Sequence, residues 1–264
     1  MTAFEELASV DGSITPTGEA TIGLKDDGLY RGDGAFEVIR LYAGRPFALG
    51  EHVDRLGRSA AAIDLEFDRA ALQAEIEALL AQAGPVDGQL RLIVTRGGRR
   101  IAATEPVPAH ADAVKVATIP YSTTGILDRV KSLSYGANMH ATRLAKAQGA
   151  DEAVLVRADG TVLEPPTSTV FWVGADGTLR TPSLSLPILD SITRDRLVAA
   201  LEVEEGEFPV DDLRGAAEAF LASTTREVQP ISAVDGTTLP TAPGPRTEEA
   251  QRAFAATLER EMGD

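Results

Sequence analysis

No cysteine occurs in this chain of 264 residues. Disulfides, thiolate metal sites, iron–sulfur clusters and thiol nucleophiles are excluded together. Histidine is scarce as well. His52, His110 and His140 are widely separated, a spacing that offers no multi-histidine metal site. No apolar run approaches the roughly 18 to 20 residues that a membrane span needs. The opening MTAFEELASVDG lacks the basic and apolar regions of a signal peptide, so the sequence points to a cytoplasmic protein. Basic residues are outnumbered, 25 against 40 acids, for a net charge of −15. Such a surface repels phosphate backbones, so no nucleic-acid partner is expected. What is present is ordinary for a globular protein: 44% apolar and 25% charged residues exclude global disorder. At roughly 150 residues per domain, the length fits one large domain or two small ones.

Periodicity indicates mixed α and β structure. Residues 34–42 (GAFEVIRLY) alternate as a strand does. Val53, Leu56, Ala60 and Ile63 recur at helical spacing, and a second helix is predicted over about 68–83, ended by Gly84-Pro85. LRLIVT (90–95) and Val114 to Ile119 read as strands. Prolines at 106, 108 and 120 and the STTG at 122–125 mark irregular ground. They suggest a first domain over 1–118, a linker at 119–125 and a second domain over 126–264. In the second part a helix is predicted over 137–148, and EAVLVR and TVLE flank Asp159-Gly160. TVFWV and TLR flank Asp176-Gly177, a strong hairpin signal. A helix starts near Ser191–Thr193, FLAST (220–224) is a short strand, and the last 18 residues form a terminal helix. The expected fold class is α/β (α+β) in two domains, with antiparallel hairpins dominating the second.

Five ordered blocks carry more specific information. The first is Arg31-Gly32-Asp33-Gly34-Ala35-Phe36-Glu37, and the second is Glu51-His52-Val53-Asp54-Arg55-Leu56. The third begins at Lys131-Ser132-Leu133-Ser134-Tyr135 and runs through GADEAVLVRADGTVLE to Glu164, 33 residues after the lysine. The fourth is Thr181-Pro182 followed by Ile188-Leu189-Asp190-Ser191-Ile192-Thr193-Arg194. The fifth is Ser223-Thr224-Thr225-Arg226-Glu227-Val228-Gln229-Pro230.

In this order the blocks resemble the class IV aminotransferases, enzymes of fold type IV that use pyridoxal 5′-phosphate (PLP). The resemblance runs from about Tyr30 to Gly244. It implies that Lys131 is the Schiff-base lysine, a group that burial and nearby cations help to deprotonate. Tyr135 would hydrogen-bond the ring oxygen. Glu164 would face the pyridine nitrogen and keep it protonated. The resemblance assigns the cofactor phosphate to Arg55, to Ile192 and Thr193 at a helix N-terminus, and to Thr224. It gives Leu189 ring packing. The sequence departs from the family at Asp190-Ser191, where Pro-Gly is commoner, and an extra acid near a dianion is unfavourable unless it points away.

Substrate choice in this family depends on the pocket walls and the carboxylate trap, for which Phe36, Val38 and Thr225 are candidates. The branched-chain L-enzymes usually carry glycine where Val38 stands and a Y-x-R strand where this chain has Gln89-Leu90-Arg91. The familiar D-enzymes carry R-x-H where this chain reads Arg96-Gly97-Gly98-Arg99-Arg100. Arg31 and Arg91 remain as candidate carboxylate holders, with Arg96 in reserve. The reading that follows is a variant D-amino acid aminotransferase acting on D-alanine or D-glutamate type donors and 2-oxo acids through a 1,3-proton shift. Aminodeoxychorismate lyase and branched-chain L-amino acid aminotransferase are the alternatives, and a PLP-binding protein without catalysis is a further one. The resemblance also implies a homodimer.

Overall fold

The structure is a computed structural model, and it describes residues 5–263. The first four residues of the opening segment and the last residue of the expected terminal helix therefore lie outside the described residues. The chain divides into two compact units, Met1–Ala109 with Val130–Tyr135, and His110–Arg129 with Gly136–Asp264.

The first unit contains β1 (Leu7–Val10), β2 (Ser13–Pro16), α1 (Asp27–Arg31), β3 (Gly34–Tyr42), β4 (Arg45–Pro46), α2 (Leu49–Ala61), α3 (Arg69–Ala83), β5 (Gly88–Thr95) and β6 (Arg100–Glu105). The strands form one sheet in the order β2-β1-β6-β5-β3-β4, and every pairing is antiparallel. The period-2 alternation of β3 is genuine two-facedness. Ala35, Ile39 and Leu41 join Leu90, Leu92 and Val94 against Val53, Leu56 and Ala60 of α2 and Leu72, Ile76 and Leu79 of α3. The other face presents Phe36 and Val38, with Arg91 and Ile93 beside them. Asp68 caps α3 by accepting the Ala71 amide at 2.9 Å, and Gly84 ends it at a φ of 71°. Ile63, expected within the first helix, lies beyond the end of α2.

The second unit contains β7 (Val114–Pro120), α4 (Gly136–Ala147), β8 (Glu152–Val156), β9 (Thr169–Val173), β10 (Leu179–Pro182), α5 (Ile192–Ala200), β11 (Glu204–Gly206), α6 (Val210–Arg214), β12 (Glu218–Ser223), β13 (Glu227–Val234), β14 (Thr237–Thr238) and α7 (Pro245–Met262). Its sheet runs β11-β10-β9-β12-β13-β7-β8, with β14 on β13. The predicted antiparallel character holds for β10-β9-β12-β13. The flanks differ, because β13-β7, β7-β8 and β10-β11 are parallel. Parallel neighbours need crossover connections, and α4 lies in the one between β7 and β8. The expected TVLE strand is reduced to two isolated bridges, Val156 with Val162 and Thr161 with Pro209. Main-chain bonds from Leu163 to Leu155 (2.9 Å) and from Leu155 to Glu164 (3.1 Å) still hold it beside β8.

Residues 119–125, expected as a linker, fall in the second unit, where Ile119 and Pro120 finish β7. Val130–Tyr135 instead belong to the first unit, because they pair with the start of β3.

Candidate active site

The first unit assembles its site on the open face of the sheet. Gly32 closes α1 in the left-handed region at a φ of 67°. At Gly34 a side chain would run into the Val94 carbonyl and the Leu133 side chain, so only glycine lets the three segments close up. Ala35 and Ser132 are antiparallel partners, the Phe36 amide donates to the Lys131 carbonyl at 3.0 Å, and the Leu133 amide donates to the Gly34 carbonyl at 2.9 Å. Lys131 thus stands across from Phe36, on the same face. Its Nζ lies 4.6 Å from the Phe36 ring centroid. Tyr135 meets that ring edge-on, with centroids 5.3 Å apart. The Lys131 amide donates to Ser59 Oγ at 3.1 Å, which fixes the backbone under the amine.

One row along the same face, Val38 is paired with Arg91. Lys131, Phe36, Val38 and Arg91, chosen separately from the sequence, are therefore brought together. Arg31 is not part of this group. It lies in the last turn of α1, is ion-paired with Asp27 and has a side chain 71% exposed. Arg96 binds Asp33 at 3.1 Å and the carbonyls of Ile63 and Asp64.

On the helix-covered face, Glu37 is fully buried. Arg55 grips it from α2 with Nε at 2.7 Å and Nη2 at 2.7 Å, and His52 Nδ1 lies 2.8 Å from the same carboxylate. The three-residue spacing of His52 and Arg55 puts both on one face of α2. Burial alone would raise the Glu37 pKa. Hydrogen bonds from Arg55 and His52, with the charges of Arg55 and Lys131, instead bring it down to about 2. Burial lowers the His52 pKa despite the adjacent carboxylate, so the ring is neutral. Glu37 can only accept, so Nδ1 carries the proton.

The second unit supplies acceptors and anion donors. Glu164 accepts the Leu189 amide at 2.9 Å, which orients its carboxylate and places Leu189 beside it. Tyr121 is pushed up by burial and by the charges of Asp128 and Glu164. Ser191, in the position where the family's usual Gly was missing, is the N-cap of α5: its hydroxyl accepts the Arg194 amide at 3.3 Å. Ile192 and Thr193 follow, both buried in the first turn, where unsatisfied amides and the helix dipole favour an anion. Thr224 and Thr225 lie half-buried in the turn from β12 to β13. Ser223 Oγ accepts the Arg226 amide there at 3.3 Å, and Arg226 is anchored to Glu152 at 2.8 Å and Gln229 at 2.6 Å.

Chemically, each unit by itself carries groups of the kind that a phosphate-bearing pyridine aldehyde needs. The first unit offers a primary amine, a phenol and an arginine. The second offers an oriented carboxylate and a helix N-terminus with hydroxyl neighbours. Glu37, His52 and Ser191 stood inside the recognised blocks with no role assigned. Replacing Ser191 by alanine is expected to cost about 1 kcal/mol of stability, read as a lower Tm, and to weaken PLP retention in dialysis.

Residues 34–234 match the family described as Amino-transferase class IV. A D-alanine aminotransferase from Bacillus licheniformis is 34% identical over 268 residues, covering 92% of this chain and 94% of that protein. A putative branched-chain-amino-acid aminotransferase from Methanocaldococcus jannaschii is 32% identical over 252 residues, covering 86% of this chain and 87% of that one. Among solved structures, a hypothetical aminotransferase from Mycobacterium tuberculosis in its PLP-bound form is 28% identical with a TM-score of 0.85, covering 95% of this chain and 98% of that one.

Proposed function

The chain belongs to the class IV aminotransferases, which are PLP-dependent, and from that premise we propose that it transfers the amino group between a D-amino acid and a 2-oxo acid. The observation that carries the reading is the sheet face on which the Lys131 amine lies over Phe36, one row from Val38 and Arg91. The 34% identity to a D-alanine aminotransferase supports the D-specific part.

PLP, when bound, supplies an electron sink for the charge left on Cα. The chain's own residues do the rest. Lys131 Nζ removes the proton from the substrate's Cα and returns one on the way to product. Phe36 and Tyr135 wall the amine in. Arg55, Ile192, Thr193 and Thr224 would hold the phosphate, Glu164 would hold the ring nitrogen's proton, and Leu189 would pack on the ring. Arg91 would orient the substrate carboxylate. Val38 and Thr225 would line the substrate side.

The deciding experiment mixes the yellow holoenzyme with single donors: D-alanine, D-glutamate, L-leucine, L-glutamate and aminodeoxychorismate. Loss of the cofactor absorbance with D-donors and not with L-leucine is the expected result. Bleaching by L-leucine would move the enzyme to the branched-chain group, the reading favoured by the 32% identical archaeal relative. Pyruvate release from aminodeoxychorismate without bleaching by any amino acid would make it a lyase. Within the D-reading, Arg91→Ala is expected to raise KM for 2-oxoglutarate by about tenfold or more with PLP still bound, the cost of removing a charge-assisted pair. Arg31, exposed and paired with Asp27, should show a smaller change on the same substitution.

A further inference from the structure

Arg91 does not meet the substrate side as a lone cation. Glu105, on β6, accepts from its Nε at 2.6 Å and from its Nη2 at 2.9 Å. Gln89, two residues before Arg91 on the same strand face, donates to Glu105 Oε2 at 2.6 Å. The register explains the cluster: Gln89 is opposite Glu105, and Arg91 is opposite Ala103, one step along the same face. Alanine at 103 leaves room for the guanidinium to lie over it toward Glu105. The Arg91 and Glu105 side chains are 33% and 24% exposed, so the pair reaches the open face of the sheet. Burial works against the charge of Glu105, but the hydrogen bond and charge of Arg91, with Gln89, hold its pKa below the ordinary value. The carboxylate is ionised at neutral pH.

An ion pair presents a different surface from a free arginine. Glu105 takes the Nε side of the fork and one Nη2 hydrogen, and the Nη1 donors take no part in the pair. One substrate carboxylate can still be met by guanidinium hydrogens. The net charge of the pair is zero, however, and a second carboxylate on the same ligand finds Glu105 as a repulsive neighbour.

We propose that Glu105 is a specificity-determining residue that locks the orientation of Arg91 and biases the enzyme toward substrates with one carboxylate, such as alanine and pyruvate, over those with two, such as glutamate and 2-oxoglutarate. The inference rests on the reading that Arg91 holds a substrate carboxylate.

The test compares kcat and KM for pyruvate and 2-oxoglutarate in wild-type holoenzyme, Glu105→Gln, Glu105→Asp and Arg91→Ala. Calorimetric titration with glutarate, an unreactive dicarboxylate, is run alongside. Glu105→Gln removes the charge and keeps an acceptor for Arg91. It should raise the 2-oxoglutarate to pyruvate ratio of kcat/KM by about three- to tenfold, through KM, and tighten glutarate binding by a similar factor. Glu105→Asp, which keeps the charge, should restore the wild-type ratio. A ratio and a glutarate affinity unchanged in Glu105→Gln, with KM raised for both acids in Arg91→Ala, would overturn the role of Glu105 alone. KM unchanged in Arg91→Ala would remove the reading beneath it. A fall in kcat shared equally by both acids would mark Glu105 as merely structural and also overturn the proposal.

Discussion

Lys131→Ala is expected to cripple transamination, with kcat lower by about 10²- to 10⁴-fold, the range in which a positioned acid–base group acts. The variant should still fold. The bonds that position residue 131 are main-chain bonds: its carbonyl receives the Phe36 amide at 3.0 Å and its amide donates to Ser59 Oγ at 3.1 Å. Alanine keeps both. The amine's cation–π contact over the Phe36 ring, about 1 kcal/mol, and its charge near Glu37 are lost, so a small drop in Tm is expected. Lys131→Arg separates charge from chemistry. A guanidinium in that place preserves the positive charge felt by Glu37 but cannot give up a proton near neutrality. It should be as inactive as the alanine variant. Retention of more than a few per cent of the wild-type rate in either variant would mean that another group moves the Cα proton. Single-turnover absorbance with D-alanine measures this directly, without product release in the way.

The prominence of Lys131 in the sequence, and the obscurity of its surroundings, have the same physical source. Lys131 to Glu164 is a local run of chain, and the glycines of GDG enforce local geometry: Gly32 needs its left-handed φ and Gly34 has no space for a side chain. Such constraints leave a trace in adjacent letters. The partner of Arg91 does not. Glu105 reaches Arg91 through the β5–β6 register, and nothing in the letters near Glu105 distinguishes it from the chain's other acids. Long β3, β5 and the helices α2 and α3 were legible because each repeats its apolar period over several turns or pleats. β13 was not. It carries Pro230, which argues against an interior strand, yet it lies between β12 and β7. Its parallel ladder with β7 starts only at Ile231, one residue past the missing amide, and an irregularity between Ile231 and Ala233 follows. Tertiary pairing therefore uses a segment whose local signals point elsewhere. Val130–Tyr135 pose a similar problem: a segment of six residues belongs by contact to the first unit while its neighbours on both sides belong to the second.

Glu37→Ala is expected to be the most destabilising single change in the first unit's site, by about 3 to 5 kcal/mol, because it strands a buried guanidinium. Arg55 is 5% exposed and has two of its donors on the lost carboxylate, and the fully buried His52 loses the acceptor for Nδ1. Glu37→Gln keeps one oxygen acceptor but turns an N–H group toward these donors, so a smaller loss is expected, about 2 kcal/mol. Both variants should also bind PLP more weakly, since the carboxylate fixes the arginine assigned to the phosphate. The same cluster predicts the acid limb of the stability curve. Glu37 falls from 4.5 to about 2 on folding, a depressed carboxylate, so its contribution is present above pH 4.5 and is lost as pH falls toward 2. That depression corresponds to about 3 kcal/mol. His52 is also lowered from 6.5, and for an imidazole this means that the unfolded chain takes up its proton first. Stability from His52 is therefore complete above pH 6.5 and declines below it. Wild-type stability from denaturant titrations should decline as pH drops from 6.5, and fall more steeply below 4.5. In Glu37→Gln the steep part should flatten, and the gap between the two proteins should shrink as the solution becomes more acid. A constant gap between pH 6 and pH 3 would show that Glu37 titrates normally in the folded protein, and that neither Arg55 nor His52 holds it as an anion.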